Sequence, residues 1–208
     1  QGIPWLLRKP LLYTSLTLAI TNTTTPEGTV NYTARQTSIK AAPGPPDTRR
    51  FNWEVYEQEN LLFGTIVCRT RYIEGESVGQ TEGEMMVRPA VEVQSVLKDE
   101  RDKILVRRFL RGEVEDDGQT VGRGFLVEGP SVGSWLEGEG GETCQGAGGC
   151  GIWVHLFDRK KDAAGWSSEQ VWGFEMIDGE RLHTRRVVAT DSRGVYRLAR
   201  LVHRLVDG

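Results

Sequence analysis

A guanidinium, an imidazole, a carboxamide and a phenol fall within one short span of this chain, at spacings that can aim them at a single point. Asp178-Gly179 is a strong two-residue hairpin signal. Folding the chain back on it sets Phe174 opposite His183, Trp172 opposite Arg185 and Gln170 opposite Val187. Alternation along a strand sends these side chains to one face, while Glu169, Glu175, Thr184 and Arg186 take the other. Read as a four-residue loop, Asp191-Ser192-Arg193-Gly194 then brings Tyr196, Leu198, Arg200 and Val202 to that first face as well. Such a face is too polar for a plain core and too aromatic for a solvated surface. The pattern predicts the wall of a pocket.

The chemistry open to that wall follows from its residue types. Arg185, in mid-strand, is costly to bury without a carboxylate or a bound oxygen, which favours a ligand-holding role. His183 titrates near neutrality and suits acid–base work, although a single register step would put it in solvent. His155 and His203 carry the same ambiguity and rank below it. Gln170 and Tyr196 are neutral hydrogen-bonding groups that could fix a ligand's orientation in an apolar cavity. Trp172 and Phe174 either line that cavity or simply fill the core. Arg200 has two equally weighted readings. It either meets a ligand or stacks across Trp53 of an early strand to close one end of a barrel, a contact worth roughly 0.5–2 kcal/mol.

The elements that must position these groups are short strands. Leu11–Thr21 and Thr29–Thr37 read as a first hairpin after an irregular arm over 1–10, and Ala41–Pro46 reads as a rigid connector. Phe51, Trp53 and Val55 alternate with polar residues and are expected to point inward. Leu62–Ile73 is a strand whose buried face the pattern leaves open. Glu74–Glu84 reads as a polar link, and Val91–Arg101 as a strand running into a short helix. Lys103–Val114 and Gln119–Glu128 read as strands, Ser131–Leu136 as a short helix and Glu137–Gly151 as a glycine-rich loop. Ile152–Phe157 leads through a charged turn into the three-strand block Trp166–Val206. About ten strands with one or two short helices, in a single domain over 1–208, point to an all-β, antiparallel barrel able to hold one small ligand.

Composition narrows the classes further. Among 208 residues, 26 basic and 29 acidic side chains are well mixed, with a net charge of −3, so no basic stripe advertises nucleic acid. The most apolar window, Trp5–Ile20, is broken by Arg8, Lys9 and Pro10, which argues against membrane insertion. The chain begins at Gln1, and Asn22-Thr23-Thr24 and Asn31-Tyr32-Thr33 are glycosylation sequons. Together these suggest a removed leader and a secretory or extracellular setting. Cys144 and Cys150 bracket a flexible glycine-rich loop that could close a small disulfide and leave Cys68 over. A Cys68 bridge to either of them is the alternative. Three cysteines and three histidines show no metal-ligand spacing, and the acidic run Glu113–Asp117 reads as a solvated turn. No nucleophile elbow, phosphate loop, dinucleotide fingerprint or zinc-protease motif is present.

Gly165–Glu175, with "EQVWGFE" as its most specific piece, resembles a family of fungal lipocalin-like proteins. Arg185-Arg186-Val187-Val188 and Arg197–Val202 share that resemblance, as do Arg50–Trp53, Phe63–Ile66 and Thr70–Tyr72 upstream. It spans most of Arg50–Val206 and is loose over 75–150. Some members of that family are hetero-Diels–Alderases, which join a tropolone-derived quinone methide to a humulene-type sesquiterpene in secondary metabolism. The resemblance implies a calycin-type barrel, a glycosylated secreted protein, hydrophobic small-molecule substrates and no cofactor. In such a reaction a donor such as Arg185, His183, Gln170 or Tyr196 would hydrogen-bond the carbonyl oxygen. Trp172, Phe174, Trp53, Val187, Leu198, Arg200 and Tyr72 would shape the cavity. Tyr72 and His203 stand where a tryptophan and a tyrosine are expected. A carrier without catalysis, an isomerase or dehydratase using His183, and a homodimeric state are all compatible with the same residues.

Overall fold

The structure is a computed structural model that describes residues 17–26, 28, 30–36, 46–60, 63–81, 84–127, 153–161 and 165–204. Its elements in chain order are β1 (Leu18–Thr24), β2 (Val30–Gln36), β3 (Asp47–Arg50), β4 (Tyr56–Asn60), β5 (Gly64–Ile73), β6 (Gly75–Thr81) and β7 (Glu84–Pro89). These are followed by α1 (Glu100–Leu110), β8 (Trp153–Lys160), β9 (Ser167–Ile177), β10 (Glu180–Thr190) and β11 (Tyr196–His203). All strand pairs are antiparallel. A six-stranded sheet in the order β11-β10-β9-β8-β5-β4 forms the centre, with β1-β2-β3 and the β6-β7 hairpin as smaller sheets. Among the described residues β4 and β11 remain edges, so the sheets do not close into the expected barrel. No helix there is long and apolar enough to cross a membrane.

The central sheet is covered on both sides, which explains why the pattern of Leu62–Ile73 leaves its buried face open. On the front, Tyr32 and Ala34 of β2 pack with Val154, Leu156 and Trp172, joined by Ile20, Phe51 and Tyr72. On the back, Val106, Phe109 and Leu110 of α1 pack with Val91, Val114, Phe125, Trp153, Val171 and Val188. Gly173 makes that back layer possible: a Cβ there would stand 2.6 Å from Trp153 and 2.7 Å from Phe125. Asp178 and Gly179 both take positive φ, 50° and 82°, as the tight hairpin turn requires.

Several sequence expectations are corrected. Lys103–Val114 is not a strand. Buried Val106, Phe109 and Leu110 follow the i, i+3, i+4 spacing of a helix, and Asp99 caps it by accepting from the Asp102 N–H at 2.9 Å. Glu100 and Asp102 in its first turn and Arg107 and Arg108 in its last suit the helix dipole. The polar link at Glu74–Glu84 contributes to the β6-β7 hairpin instead. Residues 119–127 hold only an isolated bridge from Val121 to Val114 rather than a strand. Phe51–Val55 is a turn and coil, and Val55 is exposed. The arm over 1–10, the connector up to residue 45, the 131–136 helix and the Cys144–Cys150 loop lie outside the described residues.

Candidate functional site

The β9-β10 register places Phe174 against His183, Trp172 against Arg185 and Gln170 against Val187, as the hairpin turn dictates. These six side chains share the front face with Tyr72, which β5-β8 pairing sets beside Val154. The β10-β11 register does not follow the four-residue reading. The loop runs from Asp191 to Val195, with the Asp191 N–H donating to the Val195 carbonyl at 2.9 Å and the Gly194 N–H to the Asp191 carbonyl at 3.0 Å. One extra loop residue turns every β11 side chain over. Tyr196, Leu198 and Arg200 pair with Thr190, Val188 and Arg186 and face the back, while His203 joins His183 on the front.

Trp172 is the centre of the front cluster and is only 1% exposed. The Arg185 guanidinium lies 4.0 Å from its ring centroid and donates to the Tyr32 hydroxyl at 3.0 Å. Tyr32 meets the indole at 5.4 Å, and His183 approaches it edge-on at 6.4 Å. Phe174 and His203 each lie 5.6 Å from the His183 ring, and Arg181 sits over Phe174 at 3.5 Å. The Trp172 indole N–H donates to Gln170 Oε1 at 2.9 Å, and Gln170 in turn donates to Ser168 at 3.1 Å. So the carboxamide orients the indole. Among the described residues no carboxylate forms an ion pair with Arg185. The nearest ionic lock on this face is elsewhere, between buried Arg49 and Asp158.

Electrostatics fixes the protonation of the cluster. Burial, then the charges of Arg185, His203 and Arg181, pushes the His183 imidazole down to about 2. Burial and Arg185 lower His203 in the same direction. Both are neutral rings at ordinary pH, so they suit packing and neutral hydrogen bonding rather than acid–base catalysis. Burial raises the Tyr32 phenol despite the adjacent Arg185. The cluster thus sets two permanent cations, Arg185 and Arg181, among neutral aromatic rings.

The four remaining predicted residues are not in it. Arg200 pairs with Glu115 at 2.8 Å and Glu175 at 3.2 Å, beside the fully buried Arg186. Trp53 lies on the back side, stacked on His155 at 5.0 Å with Arg71 over it at 4.3 Å, so Arg200 does not plug against it. The Tyr196 hydroxyl donates to Asp102 at 3.1 Å. Tyr196 and Leu198 line an open cleft of about 430 Å³ between α1 and the β10-β11 loop. That cleft is remote from Trp172, and its Asp117 is occupied by the N–H groups of Gln119 and Thr120.

Tyr32 and Phe51 complete the front cluster; Phe51 was expected to point inward but not as part of the site, and Tyr32 was not expected at all. Tyr32 alternates with buried Ala34 along β2, a legible inward pattern, but nothing in the sequence says which sheet that face covers. The sequons divide in the same way. Asn22 pairs across the hairpin with Tyr32 and shares its inward face, whereas Asn31 pairs with Thr23 on the outward one. Cys68 is a buried free thiol. No protein-family model matches the chain, and neither a curated protein nor a solved structure matches it.

Proposed function

We propose that the protein binds a hydrophobic, carbonyl-bearing small molecule at the Trp172–Arg185 pair and catalyses a cofactor-free hetero-Diels–Alder cycloaddition. The partners are a tropolone-derived quinone methide and a humulene-type sesquiterpene. The observation that carries this reading is a guanidinium held 4.0 Å over a buried indole without an ion-paired carboxylate. Cycloaddition needs neither a nucleophile nor a titrating base, in keeping with the neutral His183. Holding both reactants in a near-attack arrangement lowers the entropic barrier. A preorganised Arg185 donor stabilises negative charge as it develops on the carbonyl oxygen. The reading carries with it a lipocalin-like barrel and a secretory setting.

The test is to incubate the pure protein with a quinone-methide precursor and the alkene. Accelerated formation of one stereoisomer is expected, and a yield and stereochemistry equal to the protein-free control would overturn the reading. A second reading, a carrier that performs no chemistry, is favoured by one contact: Arg185 already donates to Tyr32 at 3.0 Å. Arg185→Met separates the two. A cyclase loses rate more than affinity, and a carrier loses affinity alone.

A further inference from the structure

On the back face of β5, across the sheet from Trp172, Arg69 and Arg71 occupy alternate positions and point to the same side. Both are half-buried, and neither makes an ion pair or hydrogen bond among the described residues. The Arg71 Nε is fully buried without an acceptor. Such a donor set needs oxygens from somewhere.

Trp53 holds the two arginines in place. Arg71 lies 4.3 Å and Arg69 5.9 Å from its ring. Trp53 carries a φ of 60°, an unfavourable left-handed conformation for an aromatic residue. Its N–H donates to the carbonyl of Thr70, the residue between the two arginines, at 2.8 Å. Beneath the indole, His155 is fully buried, with Nε2 2.9 Å from Glu169 and Nδ1 without a partner among the described residues. Glu169 is the carboxylate on hand, yet it does not neutralise the arginines. Its oxygens accept from the Gln94 and Ser95 N–H groups, the Ser95 hydroxyl and the imidazole. Among the described residues, the two adjacent guanidiniums therefore have no carboxylate partner.

The geometry points to an oxyanion site at which Arg69 and Arg71 clamp a tetrahedral, phosphate-type dianion carried by a small molecule. Two forked donors match a dianion in charge and can each bind it through two N–H groups. A single carboxylate engages one fork and leaves the second charge unmatched. The indole is a support rather than a ligand platform, because His155 and Arg71 already take its faces. This site is separate from the Trp172 cluster and does not depend on its function.

The experiment uses the full chain and inorganic phosphate as the probe, by isothermal titration and by thermal melts against chloride of equal ionic strength. Phosphate is expected to raise the melting temperature with concentration, as a ligand specific to the native state does. The Arg69→Gln/Arg71→Gln double variant weakens binding at least tenfold, Arg71→Lys keeps part of it, and exposed Arg197→Gln and front-face Arg185→Met keep it all. Among the described residues neither Arg69 nor Arg71 gives up a native hydrogen bond, only its contact with the Trp53 ring, so the double variant retains the wild-type circular dichroism. Three results overturn the inference: no phosphate-specific heat or melting shift, equal affinity in the double variant, or acetate binding as tightly as phosphate.

Discussion

Arg185 and Arg186 are adjacent in sequence and face opposite sides of β10, so the same substitution at each reports on a different layer. The Arg186 guanidinium is fully buried, donates to the two Glu175 oxygens at 2.8 and 3.0 Å, and reaches the Val114 carbonyl at 2.6 Å. Burial alone would raise the Glu175 carboxyl, but hydrogen bonding and charge from Arg186, with Thr184 and Arg200, hold it below the usual carboxylate range. Arg186→Met leaves that carboxylate, 3% exposed, with Thr184 and a 3.2 Å contact from Arg200. Breaking such a buried pair costs about 3–5 kcal/mol. That is a large share of the roughly 5–15 kcal/mol that holds a domain folded. Removing both charges, as Arg186→Met with Glu175→Leu, recovers much of the loss, because no buried ion is left unpaired. Arg185→Met keeps its apolar stem on Trp172 and loses one cation–π contact and one hydrogen bond, about 1–3 kcal/mol together. Urea unfolding followed by far-UV circular dichroism ranks the three variants. Arg185→Met should unfold latest, the double variant next and Arg186→Met first, with similar m-values. Equal midpoints for the two single variants, or a double variant no better than Arg186→Met, refutes the assigned faces and the buried pair.

His183 makes stability acid-sensitive. Between its unfolded value of 6.5 and a native value of about 2, the unfolded chain binds a proton that the native ring refuses. Stability therefore falls as pH drops below 6.5, by up to about 1.4 kcal/mol per pH unit for this one ring. His183→Gln should flatten the stability profile between pH 6.5 and 5, and an unchanged slope contradicts the buried neutral imidazole. The Cys68 thiol is raised by burial first and by the neighbouring Asp158, so it should resist alkylation in the native protein at pH 8 and react in urea. Peptide mapping of the labelled cysteines reads that difference. Expressed through a secretory host, the chain should carry its β1-β2 glycan on outward-facing Asn31. Asn31→Gln should remove that mass while Asn22→Gln leaves it, and the reverse result would invert the β2 faces.

How far the site could be read in advance differed from turn to turn. Asp178-Gly179 permits one tight geometry, so the pairing of Gln170, Trp172 and Phe174 with Val187, Arg185 and His183 follows from that dipeptide and the period of two. Asp191–Val195 contains a single glycine among residues that several loop lengths accommodate. Reading it one residue short exchanged Tyr196, Leu198 and Arg200 with Arg197, Ala199 and Leu201. The helix over Glu100–Leu110 runs against the strand expectation for a related reason: the short apolar runs Ile104–Val106 and Phe109–Leu110 fit a strand as well as a helix. Only the α1 contacts of Val106, Phe109 and Leu110 reveal the helical period. Its Asp99 cap and the charge order of its end turns were legible signals.

By itself the sequence determined an antiparallel β protein with a Trp172–Arg185 face, because turn chemistry and alternation act over a few residues. The tertiary structure decided what covers each face. It placed Tyr32 on Arg185 and Glu175 on Arg186, drew Trp53 to His155 rather than to Arg200, and left β4 and β11 as edges among the described residues. Those outcomes depend on contacts between segments far apart in the chain. There, one register step or one layer of packing changes a side chain's neighbours without changing the local pattern that the sequence displays.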